Sequence, residues 1–273
     1  MKFMALLSAA MLTVMTVALT SAPSLGAGAA GRGAPGGGAP GGGAPRGGRG
    51  PGGGGGGMPA IETAKAIRDL EKPSTPTKPV DPDGFIQRWL ILDPIADPVN
   101  VQAGTPQAAT QIGFQAIVKT EHFPNELTIT PRDGDKVTTS AGELTWNAID
   151  TKEFKLNLMH YGTMVNKRTE NIFFWVVTYV VSPDEVQGAR LAIGSNDASI
   201  WWVNGQEVTG IYGDRPAQID EGVSKRLTLK KGVNVVRGAV HNRAGQTDFL
   251  ARFLDKDDRP ITNLTVDLQA AAK

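Results

Sequence analysis

The sequence predicts an all-β protein: an antiparallel β-sandwich or jelly roll carrying one or two short helices. Three observations carry this. Short apolar runs recur about every ten residues, separated by Gly, Asn and Asp turns. The stretch SIWWVNGQEV (199–208) sets an Asn-Gly pair between two such runs, the strongest short-range hairpin signal. IFFWVVTYVV (172–181) is apolar at almost every position, as in a strand buried on both faces or covered by a loop or helix.

The elements follow in order. FIQRWLIL (85–92) is the first strand. Residues 105–121 read as a helix, stopped at Phe123-Pro124, because the residue before a proline is pushed out of the helical region. PRDGDK (131–136) is turn chemistry. Strands are expected at 144–149, 152–159, 172–181, 189–193, 199–203, 206–212, 225–229, 233–240, 249–254 and 261–266. Lys231-Gly232 is read as turning Leu227–Leu229 back on Val233–Val240, and Lys256-Asp257-Asp258 as a second turn. No period of roughly 20 to 50 residues repeats, which excludes a solenoid or propeller.

Residues 1–25 have the layout of a secretory signal peptide: Lys2, an apolar run from Phe3 to Leu19, then small residues. Residues 26–57 hold more than half of the chain's 34 glycines and read as a flexible tether. Residues 58–83 are expected to form a short helix (58–70) and a stiffer, proline-rich linker. The sandwich domain is expected at 84–268, about 185 residues, large enough for a full core. The chain has no cysteine, so that core must hold without disulfides, and thiol catalysis and cysteine-ligated metals are excluded. Lys2, Arg32, Arg46 and Arg49 are the only charges before Glu62. Removing these four from the formal +1 leaves about −3, so nucleic acid is not an expected partner.

Catalytic signatures are sparse. Gly-x-Ser-x-Gly is absent, and the nearest serine stretch is Gly194-Ser195-Asn196-Asp197. The three histidines, His122, His160 and His241, lie far apart without zinc spacing. A triad assembled from distant loops stays open. Asp133/Asp135 and Asp255/Asp257/Asp258 could ligate calcium, but both clusters read better as turns. No cofactor is expected. The segment 194–215 has the parts of a ligand site, with Trp202 and Tyr212 as rings and Asn196, Asp197, Asp214 and Arg215 as polar anchors. The competing reading packs Trp202 under the loop that follows the hairpin.

Four stretches, Asn196–Val208, Leu227–Asn234, Phe249–Phe253 and Arg88–Pro94, resemble the galactose-binding-like jelly-roll domains of bacterial glycoside hydrolases and related exported proteins. The resemblance covers roughly 85–266. The sequence departs from the pattern at Ala198 and Asp93, where glycine is common. The resemblance implies that Trp201 faces the core and Trp202 the other face. It implies a secreted or periplasmic, non-catalytic carbohydrate-binding module, with a polysaccharide or oligosaccharide as partner and no membrane contact after signal removal. Single-domain proteins similar to this one are often labelled acetylxylan esterase, so carbohydrate deacetylation is the enzymatic alternative. An envelope scaffold that binds another protein is the third.

Overall fold

The computed structural model describes residues 69–96 and 106–269. The signal peptide, the glycine-rich tether and the helix expected at 58–70, apart from its last two residues, lie outside them. Residues 70–71 are strand, not helix.

In chain order, β1 (Leu70–Glu71), β2 (Thr77–Pro79), β3 (Arg88–Leu92) and β4 (Ile95–Ala96) precede helix α1 (Gln107–Lys119). Then come β5 (Lys136–Thr139), β6 (Gly142–Thr151), β7 (Leu156–Asn157) and helix α2 (Leu158–Met164). The long strands β8 (Ile172–Ser182) and β9 (Val186–Ser195) lead to β10 (Ser199–Val203) and β11 (Gln206–Ile211). The chain closes with β12 (Gly222–Val223), β13 (Leu227–Leu229), β14 (Gly232–Asn242), β15 (Asp248–Leu254) and β16 (Thr265–Asp267).

These strands make an antiparallel β-sandwich. One sheet runs β1-β6-β3-β8-β14-β10-β11, with β2, β4, β5 and β16 attached; the other runs β12-β9-β15-β7, with β13 attached. Trp89 and Trp201 of the first sheet meet Phe249 of the second, with ring centroids 5.0 and 5.5 Å apart. These rings are fully buried and form the centre of the inter-sheet core. The Asn-Gly hairpin is present: Asn204 and Gly205 both adopt positive φ, 52° and 82°, as the tight turn between β10 and β11 requires.

The first sheet is buried on its outer face as well. β8 puts Phe173, Trp175 and Tyr179 on that side, because neighbouring strand residues point to opposite faces. α1 covers it with Thr110, Phe114, Ile117 and Val118, spaced to share one helical face. Phe114 lies against His241 on β14, and His122, in the segment after α1, against Phe173. This is why 172–181 has no polar alternation.

Four expectations are corrected. The proline-rich stretch before residue 84 is not a free linker, since β1 pairs β6 and β2 pairs β16. Arg88, fully buried, pins that stretch by donating to the Thr75 carbonyl at 2.8 Å while pairing with Asp150 through two bonds of 2.7 and 2.8 Å. Residues 152–159 give only the two-residue β7, because Asn157 caps α2 by accepting from the His160 N–H at 2.9 Å. Lys136, read as the last residue of a turn, instead opens strand β5 (Lys136–Thr139). Lys231-Gly232 does turn the chain, but β13 and β14 do not form a hairpin: β13 pairs β9 in the other sheet. Asn234 shapes that turn, with Oδ1 accepting from the Lys230 N–H and Nδ2 donating to the Lys230 carbonyl.

Candidate functional site

A cleft of about 460 Å³ opens on the outer face of the first sheet. Gln115, Val118 and Lys119 of α1 form one wall, and Ile200, Trp202 and Glu207 of the hairpin form another. The segment after α1 closes it with Glu121, Asn125, Leu127 and Thr128. Most of the lining surface is apolar, interspersed with polar and charged side chains that can hydrogen-bond, a combination usual for small-molecule sites.

The facing of the two tryptophans follows from strand alternation. Trp201 points inward and donates its Nε1–H to Ser199 Oγ at 2.9 Å. Trp202 points outward, its ring centroid 5.6 Å from that of Trp175. It is 7% exposed, so the cleft presents part of a ring wedged into the sheet rather than an open platform. Across the cleft it faces α1 and the segment that follows it.

That segment is held firmly. The Thr128 and Ile129 N–H groups donate to the Asn125 carbonyl at 2.8 and 2.7 Å. The Glu121 carboxylate accepts from the Asn125 N–H, and the buried Glu126 carboxylate accepts from the His122 N–H at 2.6 Å. Arg237 of β14, directly opposite Trp202, donates to the Glu126 carbonyl at 2.9 Å and to the Ile129 carbonyl. Burial pushes its guanidinium down to about 10, which leaves it charged at neutral pH. The Tyr179 hydroxyl adds a bond of 2.7 Å to the Pro131 carbonyl.

Of the six residues expected to bind ligand, only Trp202 lines this cleft. Tyr212 is one hydrogen bond away, its hydroxyl accepting from Gln115 Nε2 at 3.3 Å; burial raises its pKa. Asn196 is engaged with β15, its Oδ1 accepting from the Asp248 N–H at 2.9 Å. Asp197 accepts from the Arg243 N–H at 2.8 Å; burial raises its carboxyl pKa, and that bond opposes the rise. Asp214 pairs with the Arg243 side chain. Arg215 donates to the Tyr212 and Gly213 carbonyls and pairs with Glu221. Asp197 and Asp214 meet at the Arg243 guanidinium, and all four polar groups brace loops rather than line the Trp202 cleft. Gln115, Lys119, Glu121, Asn125 and Thr128 were missed. They sit on α1 and its sequel, whose docking over Trp202 has no local sequence mark.

Ser195 and Ser199 are fully buried, Ser195 Oγ donating to Ser199 Oγ at 2.9 Å. Ser224 Oγ accepts from the Leu191 N–H and donates to the Lys225 carbonyl. The histidines stand on three separate elements, and burial lowers the pKa of His160. Asp255 shapes its turn by accepting from the N–H groups of Asp257 and Arg259. Asp133 accepts from the Ala148 N–H, and Asp135 from that of Arg132. Among the described residues, no group of three or more His, Cys, Asp or Glu side chains could hold a metal ion. Among the same residues, no helix is long and apolar enough to cross a membrane.

No protein-family model matches the chain, and no curated protein matches it. Solved structures that align in part include the following two. A PA14 sugar-binding domain from an RTX adhesin is 11% identical over 64% of this chain and 94% of that one, with a TM-score of 0.35. A β-glucosidase from Kluyveromyces marxianus, in complex with glucose, is 18% identical over 32% of this chain and 11% of that one, with a TM-score of 0.24. The chain thus spans about a tenth of the β-glucosidase's length. At these TM-scores neither likeness carries an argument about this protein.

Proposed function

We propose that the protein is an exported, non-catalytic carbohydrate-binding module and that the cleft under α1 is its site. The observation that carries this reading is the wall formed by Trp202, with apolar neighbours Val118, Leu127 and Ile200 and a polar edge of Gln115, Asn125 and Glu207. A pyranose has an apolar face and hydroxyls that need hydrogen-bonding partners; the cleft offers the accessible part of the Trp202 ring, its apolar neighbours and side chains that can hydrogen-bond. The cleft's volume lies within the ~300–1,000 Å³ common for small-ligand sites. Residues 1–25 would direct export and be removed by cleavage, the glycine-rich segment then serving as a tether. The serine hydroxyls described above are spent inside the sandwich, so no observation favours the deacetylase reading.

The test is electrophoresis through gels containing soluble neutral glycans such as xylan. Retarded migration is expected of the wild type. Trp202→Phe, which keeps the wall apolar, should weaken retardation, and so should Asn125→Gly, which removes the side chain while keeping the positive φ of 61° there. Identical migration with every glycan of a broad panel would remove the proposal.

A further inference from the structure

A second groove, of about 390 Å³, lies on the other side of the same hairpin. Val203 lines it, and Val203 points to the opposite face of β10 from Trp202. Glu207 borders both clefts. The new groove differs in charge. Lys225, Arg226 and Lys230 line it against the single carboxylate of Glu207. Arg226 is partly neutralised, since it reaches Asp258 at 3.5 Å and the Gly188 carbonyl at 2.9 Å. Lys225 and Lys230 have no ion-pair partner among the described residues, whereas the neighbouring Lys231 faces Asp184 at 3.8 Å. Because the chain after the tether carries about −3, this concentration of positive charge is local rather than a reflection of a basic protein.

The backbone that carries the two lysines is fixed. β13, between them, pairs with β9, and the Asn234 side chain holds both the N–H and the carbonyl of Lys230. Gln206 and Thr228 add neutral hydrogen-bonding groups, and Val208 and Leu227 an apolar floor.

We propose that this groove binds an acidic polysaccharide, seating carboxylate-bearing sugar residues between Lys225 and Lys230. The chemistry favours this partner over other polyanions. No aromatic side chain lines the groove, so it lacks the stacking surface that single-stranded nucleic acid uses. Its concave form and recessed valines suit a chain laid in a trough, not a flat lipid surface.

The experiment measures the affinity of the full chain for polygalacturonate oligomers at several salt concentrations. Binding that weakens with salt is expected. Lys225→Ala/Lys230→Ala should raise the dissociation constant about fivefold or more and flatten the salt dependence, as the loss of two exposed charge contacts implies. Trp202→Phe should leave it unchanged. Failure to bind polygalacturonate, wild-type affinity in the double lysine variant, or tighter binding of a single-stranded oligonucleotide would each overturn the proposal. Loss of polygalacturonate binding in Trp202→Phe would overturn it too, by placing the polymer in the first cleft. Neutral-glycan retardation reports on the first cleft separately, so the two proposals fail independently.

Discussion

Gly238→Ala tests the packing that orients the two tryptophans. Gly238 lies directly opposite Trp201 on β14. A Cβ there would stand 2.6, 2.8 and 2.8 Å from three carbons of the Trp201 ring. Carbon–carbon contacts are most favourable at about 3.5–4.0 Å, so the ring would have to move by about 1 Å. It has little room to do so. Its Nε1–H is bonded to Ser199 Oγ, Trp89 lies 5.8 Å away edge-on, and Phe249 lies 5.5 Å away. Overpacking of this kind costs about 1–3 kcal/mol, and the stiffer unfolded chain of an alanine variant offsets about 0.4–1 kcal/mol. A net loss of about 1–2 kcal/mol remains, or roughly 2–8 °C in Tm for a domain of this size. The assay is thermal and urea unfolding of the wild type, Gly238→Ala, Trp201→Phe and the double variant. In the Trp201→Phe background the alanine should cost less by about 1 kcal/mol, because the smaller ring vacates the space the Cβ needs. A Gly238→Ala protein that melts with the wild type, or one that Trp201→Phe does not relieve, would refute the packing argument.

Three further outcomes are expected. Arg88→Met should destabilise by about 3–5 kcal/mol in urea unfolding, because it leaves the buried Asp150 carboxylate without its bidentate partner; Arg88→Met/Asp150→Leu should recover much of the loss. Arg237→Met leaves the Glu126 and Ile129 carbonyls without their donor and should cost about 2–4 kcal/mol, with faster proteolysis between residues 121 and 131 and weaker glycan retardation. His160 is held below its ordinary 6.5 by burial, opposed by the carboxylates of Asp248 and Asp69 and reinforced by Lys155. The unfolded chain therefore takes up that proton more readily. The stability that neutral His160 contributes is present above pH 6.5 and is lost as pH falls through the lower folded value. His160→Gln should flatten the decline in Tm between about pH 7 and pH 5.

Much of the fold could be read locally. A hairpin turn depends on two residues adopting positive φ, and Asn204-Gly205 announces it. Strand alternation fixes that adjacent tryptophans face opposite ways, and an unbroken apolar run at 172–181 requires cover on both sides. The turn at Lys231-Gly232 was equally legible, but not the partner of the strand before it. Whether β13 pairs with its chain neighbour or crosses to β9 is decided by which sheet has a free edge, and no residue within the turn encodes that.

The candidate site divides in the same way. Alternation put Trp201 and Trp202 on opposite faces, and the family resemblance, not backbone geometry, implied that Trp202 is the outward one. Its surroundings were not legible. Asn196, Asp197, Asp214 and Arg215 are polar residues in loops, and from sequence a side chain that braces a loop looks the same as one that meets a ligand. Here each is held by an internal partner: Asp248, Arg243, Arg243 and Glu221 respectively. The residues that do wall the cleft with Trp202 come from 115–128, more than seventy positions away in the chain. By itself the sequence determined the longer strands, the hairpin and the opposed faces of Trp201 and Trp202, because these follow from backbone geometry over a few residues. Only the tertiary structure decided that α1 and the segment pinned by Arg237 cover the outer face, because that burial depends on long-range packing that no local pattern specifies.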